Sequence, residues 1–327
     1  MKNYFEIENL KVDYKTYEGE KNVLDLEHFV LEKGKTFGLV GESGAGKSVL
    51  AQTILGILSR PPGIIKSGKI LFDGEDLLSK SEKELRRIRG KRISMIFQDP
   101  MSTLNPVFTV GTQITRVIRQ NQGVNKKEAF KRAVEKIELV KISDAADIME
   151  AYPHELSGGQ RQRIIIAIAL SCDAELLIAD EPTRNLDVTI QAGILKLIAK
   201  LQKELNVSVL FIANNLGLAS ATCDHLAMLH EGKIIEKGTT KEVLHNPRHP
   251  YTKAFIEAIP KDKNHKIHLE QIAKNNGTSL NSAGCPNINL CLETEEKCQE
   301  HIPMLKQFQG THWVACHRVQ ENKEVNL

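Results

Sequence analysis

Residues 36–58 read TFGLVGESGAGKSVLAQTILGIL, and the fold turns on how that stretch divides. TFGLV is apolar throughout, as a short strand buried on both faces requires. SVLAQTILGIL has the look of a helix that opens straight after a turn. Between them Gly41-Glu42-Ser43-Gly44-Ala45-Gly46-Lys47-Ser48 matches the spacing G-x-x-x-x-G-K-S. The glycines let successive backbone N–H groups turn inward around phosphate oxygens, at the positive end of the helix that follows. Lys47 supplies a point charge to the β- and γ-phosphates, and the Ser48 hydroxyl a ligand for Mg²⁺. Strand, glycine loop and helix together predict a nucleotide site.

The same pattern continues outward. AELLIAD (174–180) and VSVLFIA (207–213) are continuous apolar runs, separated by the amphipathic QAGILKLIAKLQKEL. Strand–helix–strand alternation of this kind implies a parallel sheet with helical crossovers. The first 30 residues alternate apolar and polar side chains, which predicts antiparallel strands. Residues 111–150 are rich in Ala, Lys and Glu at helical period, and 263–284 turn polar and Gly/Ser/Asn-rich, as a linker would. Asp180 closes the first apolar run as a second Mg²⁺ anchor, with Glu181 beside it to orient or deprotonate an attacking water.

Composition limits the rest. The 327 residues carry 44 basic and 41 acidic side chains, a net charge of +3, so no nucleic-acid footprint is expected. MKNYFEIENL has no apolar leader, and the longest apolar helical candidate, IIIAIAL at 164–170, is far short of the roughly 18 residues a membrane span needs. A cytosolic protein, or one held at a membrane through other proteins, is expected. Cys172 and Cys223 sit in apolar surroundings and read as core. The other four, Cys285, Cys291, Cys298 and Cys316, read C-x5-C-x6-C-x17-C. Crowding of that kind suits an iron–sulfur cluster, a tetrahedral Zn²⁺ or unliganded thiols. His301, His312 and His317 nearby could substitute as ligands, but the preferred reading is that they are surface residues.

Leu156-Ser157-Gly158-Gly159-Gln160 makes the resemblance specific, because it is similar to the signature of ATP-binding cassette (ABC) proteins. The resemblance implies an α/β P-loop NTPase cassette, with a RecA-like parallel core, an antiparallel β-subdomain and a helical subdomain at about 99–160. It further implies that Ser157, Gly158, Gly159 and Gln160 address nucleotide held by the other cassette of a head-to-tail dimer. Gln98 resembles the glutamine that senses Mg²⁺, and Asp187 the loop that crosses the dimer interface. Tyr17, 30 residues before Lys47, stands where the family stacks an aromatic on adenine; Tyr14 is the runner-up.

Three stretches resemble the ATPase subunits of oligopeptide, dipeptide and nickel importers: FQDPMSTLNPVFTVG (97–111), NPRHPYTKAF (246–255) and the cysteine tail. That likeness implies a cassette over 1–260 and a C-terminal extension over 261–327 whose cysteines hold a [4Fe–4S] cluster, with Zn²⁺ as the alternative. It implies a second ABC ATPase subunit as heterodimer partner, two membrane permease subunits and an extracellular solute-binding protein. Residues 99–111 would receive the permease, and the chain would lie at the cytoplasmic face of the membrane. A soluble non-transport ABC ATPase and a regulatory, non-catalytic cassette are the alternatives.

Two positions depart from the family. Ala213-Asn214-Asn215 stands where Thr-His-Asp is usual, and Arg184-Asn185 where Thr-Ala is preferred. Asn214 keeps a neutral hydrogen bond to a γ-phosphate but cannot be protonated or shuttle a proton. Either the chain's own site binds ATP and hydrolyses it slowly, or Glu181 suffices despite Asn214. The first reading is preferred.

Overall fold

The structure is a computed structural model that describes residues 3–259, 284–288 and 291–324. The alternating N-terminal stretch forms β1 (Phe5–Thr16) and β2 (Gly19–Leu31), an antiparallel hairpin whose inward positions Phe5, Ile7, Leu10, Leu24, Leu26 and Phe29 are buried. TFGLV becomes β3 (Thr36–Val40) and runs into α1 (Lys47–Ile54). Next come β4 (Gly63–Phe72), β5 (Glu75–Asp76), α2 (Glu82–Ile88) and β6 (Ile93–Ile96). The helical subdomain holds α3 (Pro100–Thr103), α4 (Val110–Gln122), α5 (Lys126–Leu139), α6 (Ala145–Glu150) and α7 (Gly158–Ala169). It is followed by β7 (Leu176–Asp180), α8 (Val188–Leu205), β8 (Ser208–Ala213), α9 (Leu216–Ser220), β9 (His225–His230), β10 (Lys233–Thr239), α10 (Thr240–His245) and α11 (Pro250–Glu257).

Two sheets result. One is four-stranded and antiparallel, in the order β2-β1-β4-β5. The second holds the parallel run β9-β3-β8-β7-β6. Every residue of β3, β7 and β8 is buried, which explains their unbroken apolar sequences. One core packs α1 and the antiparallel sheet on one face of the parallel strands; another packs α4, α5, α7 and α8 on the other. Within α4, Ile114 and Ile118 lie one turn apart and are fully buried, and each contributes about 1.5–3 kcal/mol by burial. The helix is started by Thr109, whose hydroxyl accepts from Thr112 N, and stopped at Gly123 with φ 68°.

The tail adds two strands to the large sheet, which the sequence reading did not foresee. Lys306–Gln309 and His312–Val314 pair as β11 and β12, and β12 lies antiparallel to β10 with Glu236 opposite Val314. His312 is a correction, since it is 3% exposed and not a surface residue. Its Nε2 lies 2.7 Å from the fully buried Glu236 carboxylate, which also accepts from Arg248 N and His249 N. A buried carboxylate left unpaired would be costly, so the histidine and two amides hold the strand in place. The NPRHPYTKAF stretch thereby docks the tail. His249 caps α11 through Nδ1, and burial pushes its pKa down to about 4. The expected boundary at 260/261 and the linker at 263–284 fall outside the described residues, Gly284 excepted.

Candidate nucleotide site

In open α/β sheets, ligand sites gather at the carboxyl ends of the parallel strands. Here those ends deliver the P-loop from β3, Asp180-Glu181 from β7 and Asn214 from β8. Gly41 must be glycine, because a Cβ there would stand 2.1 Å from Leu229 O. Gly46 must be too: φ is 103° and a Cβ would meet Val23 O at 2.6 Å. Ser43, Gly44 and Ala45 complete the loop, and α1 begins at Lys47.

Lys47 is 4% exposed, and its ammonium donates to Gly41 O and Glu42 O, each at 2.7 Å. Burial lowers its pKa, while the carboxylates of Glu181 and Asp180 act the other way, which places all three in one electrostatic neighbourhood. Asp180 is equally buried; burial raises its pKa, against a hydrogen bond from Ser48. Its Oδ1 has no hydrogen-bond partner. An orphaned carboxylate oxygen next to a hydroxyl is a fitting donor set for a hard cation such as Mg²⁺.

Glu181 is 8% exposed and adopts φ 44°, a left-handed conformation that costs about 1–3 kcal/mol for such a residue and turns its side chain off the strand end. Gln98 Nε2 donates to its Oε2 at 2.8 Å. Arg184 Nη1 donates to the same oxygen at 3.3 Å. Sequence reasoning noted the departure at Arg184 but not this contact, which depends on the Glu181 backbone. Asn215 spends its side chain on the cap of α9, accepting from Gly217 N at 2.8 Å. Asn214 is exposed and lines a cavity of about 220 Å³ with Glu181, Arg184 and Gln191.

The remaining candidates lie elsewhere. Ser157 caps α7: its Oγ accepts from Gln160 N, and Gln160 Oε1 accepts from Ser157 N. Gly158 and Gly159 open that helix beside Leu186 and Ile190, and Asp187 caps α8 through Ile190 N at 3.0 Å. Tyr17 stands fully exposed on the β1–β2 hairpin, whereas Tyr14 packs against the core. Cys172 and Cys223 are both buried, and Cys223 is pushed up to about 12 by burial. The four tail cysteines are half-buried, and among the described residues no three His, Cys, Asp or Glu side chains converge as a single metal ion requires.

Residues 24–184 match the family described as "ABC transporter", and residues 235–298 the one described as "Oligopeptide/dipeptide transporter, C-terminal region". The chain is 48% identical over 255 residues to the oligopeptide transport ATP-binding protein OppD of Bacillus subtilis, covering 78% of this chain and 71% of that one. It is 41% identical over 320 residues to the dipeptide transport ATP-binding protein DppD of the same organism, covering 97% and 95%. Among solved structures, a dimeric ATP-binding cassette in a post-hydrolysis state with ADP and Pi superposes with a TM-score of 0.64 at 25% identity, covering 72% of this chain and 98% of that one. The cbiO1 cassette of Clostridium perfringens gives 0.64 at 28% identity, covering 75% and 92%.

Proposed function

The chain belongs to the ATP-binding subunits of the oligopeptide/dipeptide ABC transporters, and we propose that it couples ATP binding to peptide import while its own site turns over slowly. The observation that carries the slow site is the Glu181 carboxylate. One of its two oxygens, Oε2, already accepts from Gln98 and Arg184, and Asn214 lines the same cavity. The Ser157–Gln160 turn keeps its capped helix start, so it can complete a site on a second, different cassette. The names of the relatives favour this transport reading over a soluble ATPase.

Lys47 and the loop amides from Gly41 to Ser48 hold the phosphates, and Tyr17, already exposed, is available to stack on the base. Ser48 and Asp180, with Gln98 reaching the same neighbourhood, would hold Mg²⁺. The bound cation would offset phosphate charge as the γ-phosphoryl group leaves. Glu181 orients the water, and Asn214 donates a neutral hydrogen bond from its amide to the γ-phosphate.

The permease surface lies on the helical side. Val107 is 74% exposed, with Phe97 and Phe108 also exposed, next to an apolar groove of about 340 Å³ that Met95, Phe97 and Leu104 line. A helix of a membrane permease subunit is its occupant in this reading, which sets the chain at the cytoplasmic face; no described helix is long and apolar enough to cross a membrane itself. Solute is brought by an extracellular binding protein.

In this reading the tail cysteines hold a [4Fe–4S] cluster, with Zn²⁺ as the alternative. Burial pushes the Cys285 thiol up to about 11 and raises Cys291 and Cys316, with further upward contributions from the neighbouring thiols. Such thiols favour the protonated form near neutral pH and would lose their protons on taking up a cationic group. Glu293 N donates to Cys291 Sγ at 3.4 Å, and Asn287, 3% exposed between Cys285 and Cys291, has both side-chain polar atoms unpaired. Cys285, Cys291, Cys298 and Cys316 would supply the four thiolates that such a cluster takes.

Uptake of labelled di- and oligopeptides into inside-sealed vesicles carrying the transporter tests the function. ATP-driven peptide accumulation is expected; nickel accumulation without peptide uptake would reassign the solute.

A further inference from the structure

We propose that the C-terminal residues Gly284–Ile288 and Gln299–Ile302 form one wall of the nucleotide site, so that bound nucleotide and the cysteine-bearing tail stabilise each other. The proposal rests on the nucleotide reading above and extends it to residues outside the cassette. A cavity of about 800 Å³, within the ~300–1,000 Å³ range of small-molecule sites, opens at the P-loop. Asn22 and Val23 of β2, Gly44 of the loop and Gly232 of the β9–β10 turn line one side. Cys285, Gln299 and Ile302 line the other.

The placement follows from the loop. Val23 O and Leu24 press on Gly46 and Gly232, so the hairpin is tight against the rear of the phosphate loop. A nucleotide with its phosphates on Lys47 sends ribose and base outward past Gly44, along the hairpin that carries Tyr17. Gly44 is the P-loop residue that lines this cavity, which in the proposal is the space on that path, with the tail on its far side.

The wall is built, not draped. Cys285 N donates to Cys298 O at 2.8 Å, Ile288 N to Cys285 O and Cys298 N to Glu295 O. A Cβ on Gly284 would stand 2.6 Å from Cys298 O, so the two cysteine loops are in backbone contact. Pro286, Asn287 and Ile302 also share the lining of a second, small cavity of about 40 Å³ with Asp25 and Leu26 of β2. Gln299 offers an amide to ribose hydroxyls or base edges, and Ile302 an apolar surface to the ring. Coupling of this kind is reciprocal: whatever affinity the tail lends to nucleotide, nucleotide returns as order in the tail.

Hydrogen exchange on the full chain, with and without ADP, reads both sides, and Lys47→Ala serves as the non-binding control. Amides in 284–288 and 297–302 are expected to slow about fivefold or more together with those in 41–48. The exposed pair Gln299→Ala and Ile302→Ala, combined, is expected to weaken a fluorescent ADP about fivefold or more. Slowed exchange in 41–48 with an unchanged tail, and a double variant that binds like the parent, would overturn the wall and leave the nucleotide site standing. No slowing in either segment would remove the nucleotide site and the wall with it.

Discussion

Replacing Asn214 by His and Arg184 by Thr together is expected to raise ATP turnover at this chain's site about a hundredfold, most of it from Asn214→His. A hydrogen bond made to the γ-phosphate in the transition state is worth about 2.7–4 kcal/mol when its donor is preorganised. Asn214 starts from a shorter side chain and no proton to give, so His recovers reach and charge at once. Arg184 acts on Glu181 directly, but it is 46% exposed, so solvent screens the pair and its removal alone is expected to yield only a few-fold. Steady-state hydrolysis by the purified chain checks this, with Glu181→Gln on the same background as the blank. An unchanged rate in the double variant would place the bottleneck elsewhere.

Lys47→Ala is expected to weaken ATP binding by about two orders of magnitude or more, because charge-assisted hydrogen bonds to phosphate are worth about 1.5–3 kcal/mol each and Lys47 serves two phosphates. It also leaves the Gly41 and Glu42 carbonyls without the ammonium they now accept from. Calorimetric titration with ATP measures the loss. Affinity within a few-fold of the parent would mean that the backbone amides alone carry the phosphates.

What could be read from the sequence was local. Gly41 to Ser48 sit between a strand and a helix that announce themselves by apolar period, and β7 and β8 are unbroken apolar runs because both faces are covered. Ser157 and Asp187, singled out by their likeness to family motifs, turn out to cap helices in the fold. The parts that were not legible depend on distant partners. KQFQ and HWV carry little strand signal, and they pair only because the β10 edge is there to receive them. His312 is buried by a carboxylate 76 positions away. Arg184 meets Glu181 only because Glu181 takes a left-handed turn, which no residue pattern marks.

The two asparagines at the end of β8 divide their work. Asn215 caps α9, and the slow site proposed above rests on Asn214 as the side chain that would meet the phosphate and on the donors to Glu181. The most direct test is Glu181→Gln in this chain alone, within the transporter assembled with its permease and second cassette, read as steady-state ATP hydrolysis in the presence of peptide. A site that already holds ATP through the cycle is not trapped further by losing its base, so the rate is expected to stay within about twofold of the parent. Collapse of hydrolysis to background would show that Glu181 fires in every cycle, and the slow-site account would be wrong.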